Sequence, residues 1–151
     1  MMMSQADETR IRALYSDILD AWNQRNATAF AVLFDEDCTV IGFDGSQMSG
    51  PIEVEATLSQ IFTHHQTAAY VAIVREVRLL AADVGLLRAV VGMVPAGQAD
   101  INPAVNAIQT LVAVRRDEQW RISLFQNTPA QFHGRPEAAQ QLTEELRALL
   151  K

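Results

Sequence analysis

This sequence is poor in the residues that metal, redox and nucleic-acid chemistry usually require. Cys38 is the only cysteine in 151 residues. That excludes an intramolecular disulfide and fits a reducing compartment, and its setting in CTVIGF reads as a small buried hydrophobe. There are three histidines. His64 and His65 stand about 100° apart around a helix axis, where the helix-terminal dipole accounts for them, and His133 sits in a loop bounded by glycine and proline. None has a second ligand at a suitable spacing, so no metal is expected. No Gly-rich loop follows a strand, so no nucleotide cofactor is expected either. Basic residues number 12 against 18 acidic ones, a net charge of −6, which leaves no patch able to neutralise a phosphate backbone or an anionic lipid surface. Nucleic acid and membrane are not expected as partners. No apolar run reaches membrane-spanning length, and the opening MMMSQADETR lacks the basic and apolar regions of a secretory signal, so the expected location is cytoplasmic.

What is present is an ordinary globular balance, 49% hydrophobic and 20% charged, enough for one core and, by length, one domain over 1–151. Ile11, Leu14, Tyr15, Ile18, Leu19 and Trp22 form a helical stripe with Ser4 or Asp7 as cap. Thr28 to Phe34 reads as a short second helix, capped by Asn26 and ended by Asp35 to Asp37. Thr39, Ile41 and Phe43 alternate into the turn Asp44-Gly45, and Gly50-Pro51 opens a third helix to about His65. From Tyr70 the period changes to two. Strands are expected at about 70–80, 84–94, 105–116 and 120–128, as an antiparallel meander. Ala96 to Pro103 is the expected mobile connection, and an amphipathic helix follows Pro136.

Helices followed by long strands imply an α+β domain with helices on one face of an antiparallel sheet. Leu86-Leu87, Ala89-Val90-Val91 and Leu111 to Val114 are apolar at both parities, so the second face also needs a cover. The amino-terminal helices reach only one side. A second copy of the same sheet is the simplest cover for the other, which predicts a homodimer through the outer sheet face.

Several segments carry a family likeness: AWNQRNATAFAVLFDEDC at 21–38, FDGSQMSGP at 43–51, VREVRLLAADVGLLRAVVGMVPAG at 74–97, and NAIQTLVAVRRDEQW running into LFQNTPAQFHGRP. Through them the chain resembles the SgcJ/EcaC family of the NTF2-like (SnoaL-like) superfamily. The resemblance implies a cone, in which amino-terminal helices close a curved antiparallel sheet around a pocket, with an extra carboxy-terminal helix here. It also implies an association with polyketide-type biosynthesis and an oxidoreductase label, without a fixed catalytic set.

The strand Trp120 to Thr128 places Trp120, Ile122, Leu124, Gln126 and Thr128 on one face, apolar first and polar at its end, as at a cavity mouth. Gln109 and Gln126 are the strongest pocket candidates, as neutral polar groups in apolar faces. They orient a ligand carbonyl or hydroxyl, or else they bond each other or a buried water. Tyr15, Trp22 and Phe43 line the same cavity or serve as plain core. Asn127 has the opposite parity and is assigned to the turn or to a subunit contact. Arg88, the sole charge in GLLRAVVGM, admits two readings. It pairs across the strands with Glu76, or it reaches into the cavity to hold an anionic or carbonyl group.

The remaining acids fall in turns or on wet faces. Two functional classes follow. The favoured one is a binding or accessory protein for a small hydrophobic, polyketide-like molecule. The alternative is a cofactor-free isomerase, cyclase or epoxide hydrolase in the same pocket, with Arg88 stabilising an oxyanion and Tyr15 or a bound water moving the proton.

Overall fold

The computed structural model describes residues 4–150. Helix α1 (Gln5–Asn23) starts where Ser4 accepts a hydrogen bond from the Asp7 amide, 3.1 Å. Its apolar stripe is buried against the sheet, Ile11 and Ile18 completely. Each such aliphatic side chain contributes about 1.5–3 kcal/mol by leaving water. The chain reverses at Arg25, whose φ is +58°, and α2 (Ala27–Ala31) begins with Asn26 capping the Ala29 amide at 3.0 Å.

α2 is shorter than its sequence predicts. Leu33 and Phe34 leave the helix to join the sheet, where the Leu33 carbonyl accepts from the Ile122 amide and Phe34 pairs with Ile122. Asp35 to Asp37, expected to end a helix, therefore lie inside strand β1 (Phe34–Ile41). A hairpin leads to the short β2 (Gln47–Ser49). Its turn is held by Asp44, which accepts from the Ser46 amide at 2.9 Å, and by Gly45 at φ +89°. Helix α3 (Pro51–His64) follows, with proline in its first turn.

Strands β3 (Ala69–Ala81), β4 (Val84–Val94), β5 (Ala107–Arg116) and β6 (Gln119–Pro129) form the expected meander. The six strands make one curved, unclosed sheet in the order β2-β1-β6-β5-β4-β3. β1 runs parallel to β6 and the other pairs are antiparallel. The fold class is α+β, with α1, α2 and α3 on the concave face.

Two bulges decide which side chains face inward. In β3, Val74 opposes Ala89 and Glu76 opposes Arg88, leaving Arg75 between them. In β6, Ile122 opposes Ala113 and Leu124 opposes Val112, leaving Ser123 as the extra residue. An added residue exchanges the faces of everything beyond it. The expected single face from Trp120 to Thr128 is therefore split. Trp120, Ile122, Phe125 and Asn127 are buried, whereas Thr128 is exposed and Leu124 and Gln126 lie on the outer side.

The outer face has a cover supplied by the chain itself. Helix α4 (Pro136–Arg147) lays Leu142 and Leu146 against Val90 and Ile101, with Val71, Ile73 and Phe132 around them. Arg75 binds Glu145 through both its terminal nitrogens, at 2.5 and 2.8 Å, and Asn106 donates to Thr143 at 2.9 Å. The 96–103 connection is pinned, not loose. Ile101 is 4% exposed and the Asn102 amide bonds the Met93 carbonyl. What remains uncovered is a half-buried strip that includes Leu86, Val112, Val114 and Leu124.

Candidate functional site

The helices do not close fully on the sheet. Between them lies a cavity of about 400 Å³, bounded by Leu19 and Trp22 of α1, Phe30 of α2, Leu58 and Ile61 of α3, and Val40, Tyr70, Met93, Phe125 and Asn127 of the strands. The β1–β2 turn, from Gly42 through Phe43 to Met48, forms its rim. A second depression of about 610 Å³ is lined by Asp35, Asp37, Arg116 and Arg121 among others, with Ala31 of α2 and Pro51 of α3 at its edge. It is charged, and Asp35 is already bonded to Arg116 at 3.2 Å, so the smaller, apolar cavity is the better candidate.

The AWNQRN segment builds one wall by fixing α1 to its neighbours. Trp22 Nε1 donates to the Ala68 carbonyl at 2.9 Å. Asn23 holds the Tyr70 backbone twice, accepting from its amide at 2.8 Å and donating to its carbonyl at 3.2 Å. Arg25 donates to the Phe62 and His65 carbonyls at the end of α3 and to Thr67 Oγ1 at 2.9 Å. These bonds satisfy carbonyls that a helix terminus leaves open. Trp22 is thereby held against an aromatic wall, with ring centroids 5.3 Å from Phe62, 5.5 Å from Tyr70 and 6.5 Å from Phe30. Phe30 in turn meets Phe125 at 6.4 Å.

A chain of buried polar groups ends in the cavity. The Tyr15 hydroxyl donates to Gln109 Oε1 at 2.7 Å, and Gln109 Nε2 donates to Asn127 Oδ1 at 2.8 Å. Gln109 is completely buried and Asn127 is 9% exposed. Burial, with Tyr70 nearby, pushes the Tyr15 phenol well above the ordinary tyrosine range. Burial alone pushes Tyr70 up to about 12. Both phenols therefore stay protonated at neutral pH, where they are hydrogen-bond donors and not bases.

The sequence candidates are distributed as follows. Trp22 and Phe43 line the cavity. Tyr15 and Gln109 lie behind it, joined to it through Asn127. Gln126 does not reach it. The Ser123 bulge turns Gln126 to the outer face, opposite Thr110 and Ile41, so it cannot bond Gln109 or form a cavity mouth. Arg88 is likewise on the outer face, half exposed, with Nε 2.7 Å from Glu76 Oε1. The two residues are direct cross-strand partners, and of the two readings of Arg88 the geometry takes the ion pair.

The residues missed are Asn127, which sequence parity assigned to the wrong side, and Tyr70, Phe125 and Met93. Tyr70 stands near the start of β3, where Asn23 holds its backbone, a partnership that no local pattern announces. Asp44, the acid at the rim, is fully exposed, and its carboxyl is held below the usual range by the Ser46 backbone bond. Among the described residues no group of three histidine, cysteine or acidic side chains could hold a metal ion. No helix there is long and apolar enough to cross a membrane.

Solved structures share this architecture. A domain of unknown function with a cystatin-like fold from Nostoc punctiforme PCC 73102 is similar with TM-score 0.82 and 26% identity, covering 97% of this chain and 98% of that one. An NTF2-like protein of unknown function from Shewanella oneidensis MR-1 has TM-score 0.65 and 16% identity, covering 80% and 97%. An uncharacterised protein with a cystatin-like fold from Caulobacter vibrioides has TM-score 0.69 and 22% identity, covering 88% and 93%. No curated protein sequence matches the chain. The model of a SnoaL-like domain matches residues 11–126, from the first buried turn of α1 to the outer-facing Gln126 of β6, and the chain belongs to that family of NTF2-like folds.

Proposed function

We propose that this protein binds a small, uncharged, largely apolar molecule of polyketide-like character in the cavity between α1, α3 and the sheet. The observation that carries the reading is an aromatic enclosure of about 400 Å³ whose most buried polar lining residue is Asn127. Such a cavity favours a flat hydrophobic ligand with one polar atom to orient. The alternative, a cofactor-free isomerase, cyclase or epoxide hydrolase, needs a group that moves a proton. The two phenols are held protonated and the rim carboxylate is engaged in a turn, so binding is the better-supported function.

Titration with 6-propionyl-2-(dimethylamino)naphthalene, a neutral dye that carries one carbonyl and brightens in apolar surroundings, tests the reading. We expect one dye per chain, lost when Val40→Trp fills the cavity in a protein that melts as before. Dye binding that survives Val40→Trp, or none in the unmodified protein, would overturn it. Native mass spectrometry of freshly purified protein would identify a retained ligand.

The outer strip of Leu86, Val112, Val114 and Leu124 supports assembly as a homodimer through this part of the sheet, beside α4. Sedimentation at micromolar concentration should give a dimer that Leu124→Asp weakens. A folded monomer at that concentration would refute the assembly. The FQNTPAQFHGRP segment supports the narrower SgcJ/EcaC assignment, and the single buried cysteine supports a cytoplasmic location.

A further inference from the structure

We infer that Tyr15 sets the hydrogen-bonding polarity of the cavity, acting through Gln109, so that Asn127 offers an N–H donor and the site selects ligands bearing an acceptor oxygen over ligands whose only polar group is an N–H donor. The inference rests on the binding function proposed above and specifies the chemistry of its ligand. A carboxamide has a donor end and an acceptor end of nearly equal size, so an isolated Asn127 could present either to the cavity. Its neighbours remove the choice. Tyr15 Oη has one hydrogen-bond partner among the described residues, Gln109 Oε1 at 2.7 Å, and Tyr15 is 3% exposed.

A buried O–H without an acceptor is costly. Gln109 must therefore turn its oxygen toward Tyr15, which leaves its NH₂ for Asn127 Oδ1 at 2.8 Å. The Asn127 NH₂ is then what remains, and it has no protein partner among the described residues although Asn127 lines the cavity. Reversing the amides would strand the Tyr15 proton in the core. Tyr15 is thus a positioning residue that touches no ligand. A carbonyl or ether oxygen meets a donor at Asn127, while an N–H meets another N–H.

Three planar tricyclic probes of nearly the same shape separate these effects: 9-fluorenone with a carbonyl, fluorene with no polar group, and carbazole with an N–H. Binding is followed by quenching of tryptophan fluorescence. In the unmodified protein fluorenone should bind roughly tenfold more tightly than carbazole, the size of one good hydrogen bond, with fluorene between them. Tyr15→Phe frees Gln109 to rotate, and the ratio should fall below about threefold while fluorene binding is unchanged. Asn127→Asp keeps the Gln109 bond and offers an oxygen instead, so carbazole should then bind more tightly than fluorenone.

If Tyr15→Phe does not fold, NMR of the unmodified protein decides: the Gln109 side-chain NH₂ should show nuclear Overhauser contacts to the Asn127 side chain and not to the Tyr15 hydroxyl, and the reverse would overturn the role of Tyr15. Equal binding of all three probes to the unmodified protein would overturn the selection while leaving the cavity's binding function intact. A ratio unchanged in folded Tyr15→Phe but reversed in Asn127→Asp would overturn the role of Tyr15 alone. Failure of all three probes to bind would overturn the binding function with it.

Discussion

Gln109 and Asn127 oppose each other directly across β5 and β6, and their side-chain amides meet at 2.8 Å on the concave face. Gln109 also accepts the Tyr15 hydrogen bond, so one buried side chain satisfies two others. Gln109→Leu keeps the volume and removes both bonds. Unsatisfied buried groups cost about 1–3 kcal/mol each, so this variant should lose about 2–4 kcal/mol in urea unfolding. A loss under about 1 kcal/mol would mean that water reaches Tyr15 or Asn127.

Arg88 should be dispensable for the cavity. Its partner Glu76 has its carboxyl held below the usual range, first by the Arg88 hydrogen bond, but both groups are solvent-exposed and screened. Exposed pairs contribute about 0–1 kcal/mol. Arg88→Gln should leave dye affinity unchanged and shift stability within that range. A clear loss of affinity would place Arg88 in the binding machinery after all.

Helix and strand limits other than those of α2 and β1 were legible because each rests on a local period: the α1 stripe, the Gly50-Pro51 start of α3, and four two-residue alternations from Tyr70. The facing of the strands was not. A bulge at Ser123 or Arg75 leaves local composition almost untouched and is chosen by long-range pairing. Yet it moved Gln126 out of the site and Asn127 into it. The cover of the outer face was half legible: α4 was visible as an amphipathic helix, but its docking depends on Val90, Gly92 and Ile101, which are brought together only in the fold. Asp35 was mistaken for a turn residue because three acids in sequence look solvated, whereas it is 6% exposed within β1.

At Gly85 α1 packs closely on the sheet. A Cβ built there would stand 2.4 Å from Ile11 Cδ1, and Ile11 is completely buried. Gly85→Ala should therefore cost about 1–3 kcal/mol by overpacking. Ile11→Val removes the offending methyl and alone costs about 0.5–1.5 kcal/mol. The double variant should be more stable than the sum of the single losses predicts, by about 1 kcal/mol. Simple additivity would show that α1 shifts freely instead.

The two tyrosines of the chain make a pH prediction. Both phenols are raised above the ordinary value by burial, Tyr70 to about 12 and Tyr15 further. An unfolded phenol releases its proton near pH 10, so between there and the folded values the native state holds more protons than the unfolded one. Stability is then fully present below about pH 10 and falls as pH rises beyond it. Absorbance at 295 nm should show no tyrosinate in the native protein at about pH 10.5, where free tyrosine is mostly ionised, and should rise only with alkaline unfolding. Ionisation of one tyrosine near pH 10 with the fold intact would show that solvent enters beside it.

The β5–β6 hairpin offers a gain in stability. Its two turn residues, Asp117 and Glu118, have φ of +52° and +65°, and Arg116 pairs with Gln119 on either side. Two left-handed residues between paired strands form the turn that matches strand twist, and Asn-Gly suits it best. Aspartate tolerates this conformation, but glutamate has no local bond to offset it. The left-handed region costs an ordinary residue about 1–2 kcal/mol, against which glycine returns about 0.5–1 kcal/mol of unfolded-state entropy. Glu118→Gly should therefore stabilise the protein by about 0.5–1 kcal/mol, seen as a higher urea midpoint with an unchanged slope. The turn lies at the opposite end of β6 from Asn127, so dye affinity should not change. A lower midpoint would mean that the attraction between Glu118 and Arg115 outweighs the backbone strain.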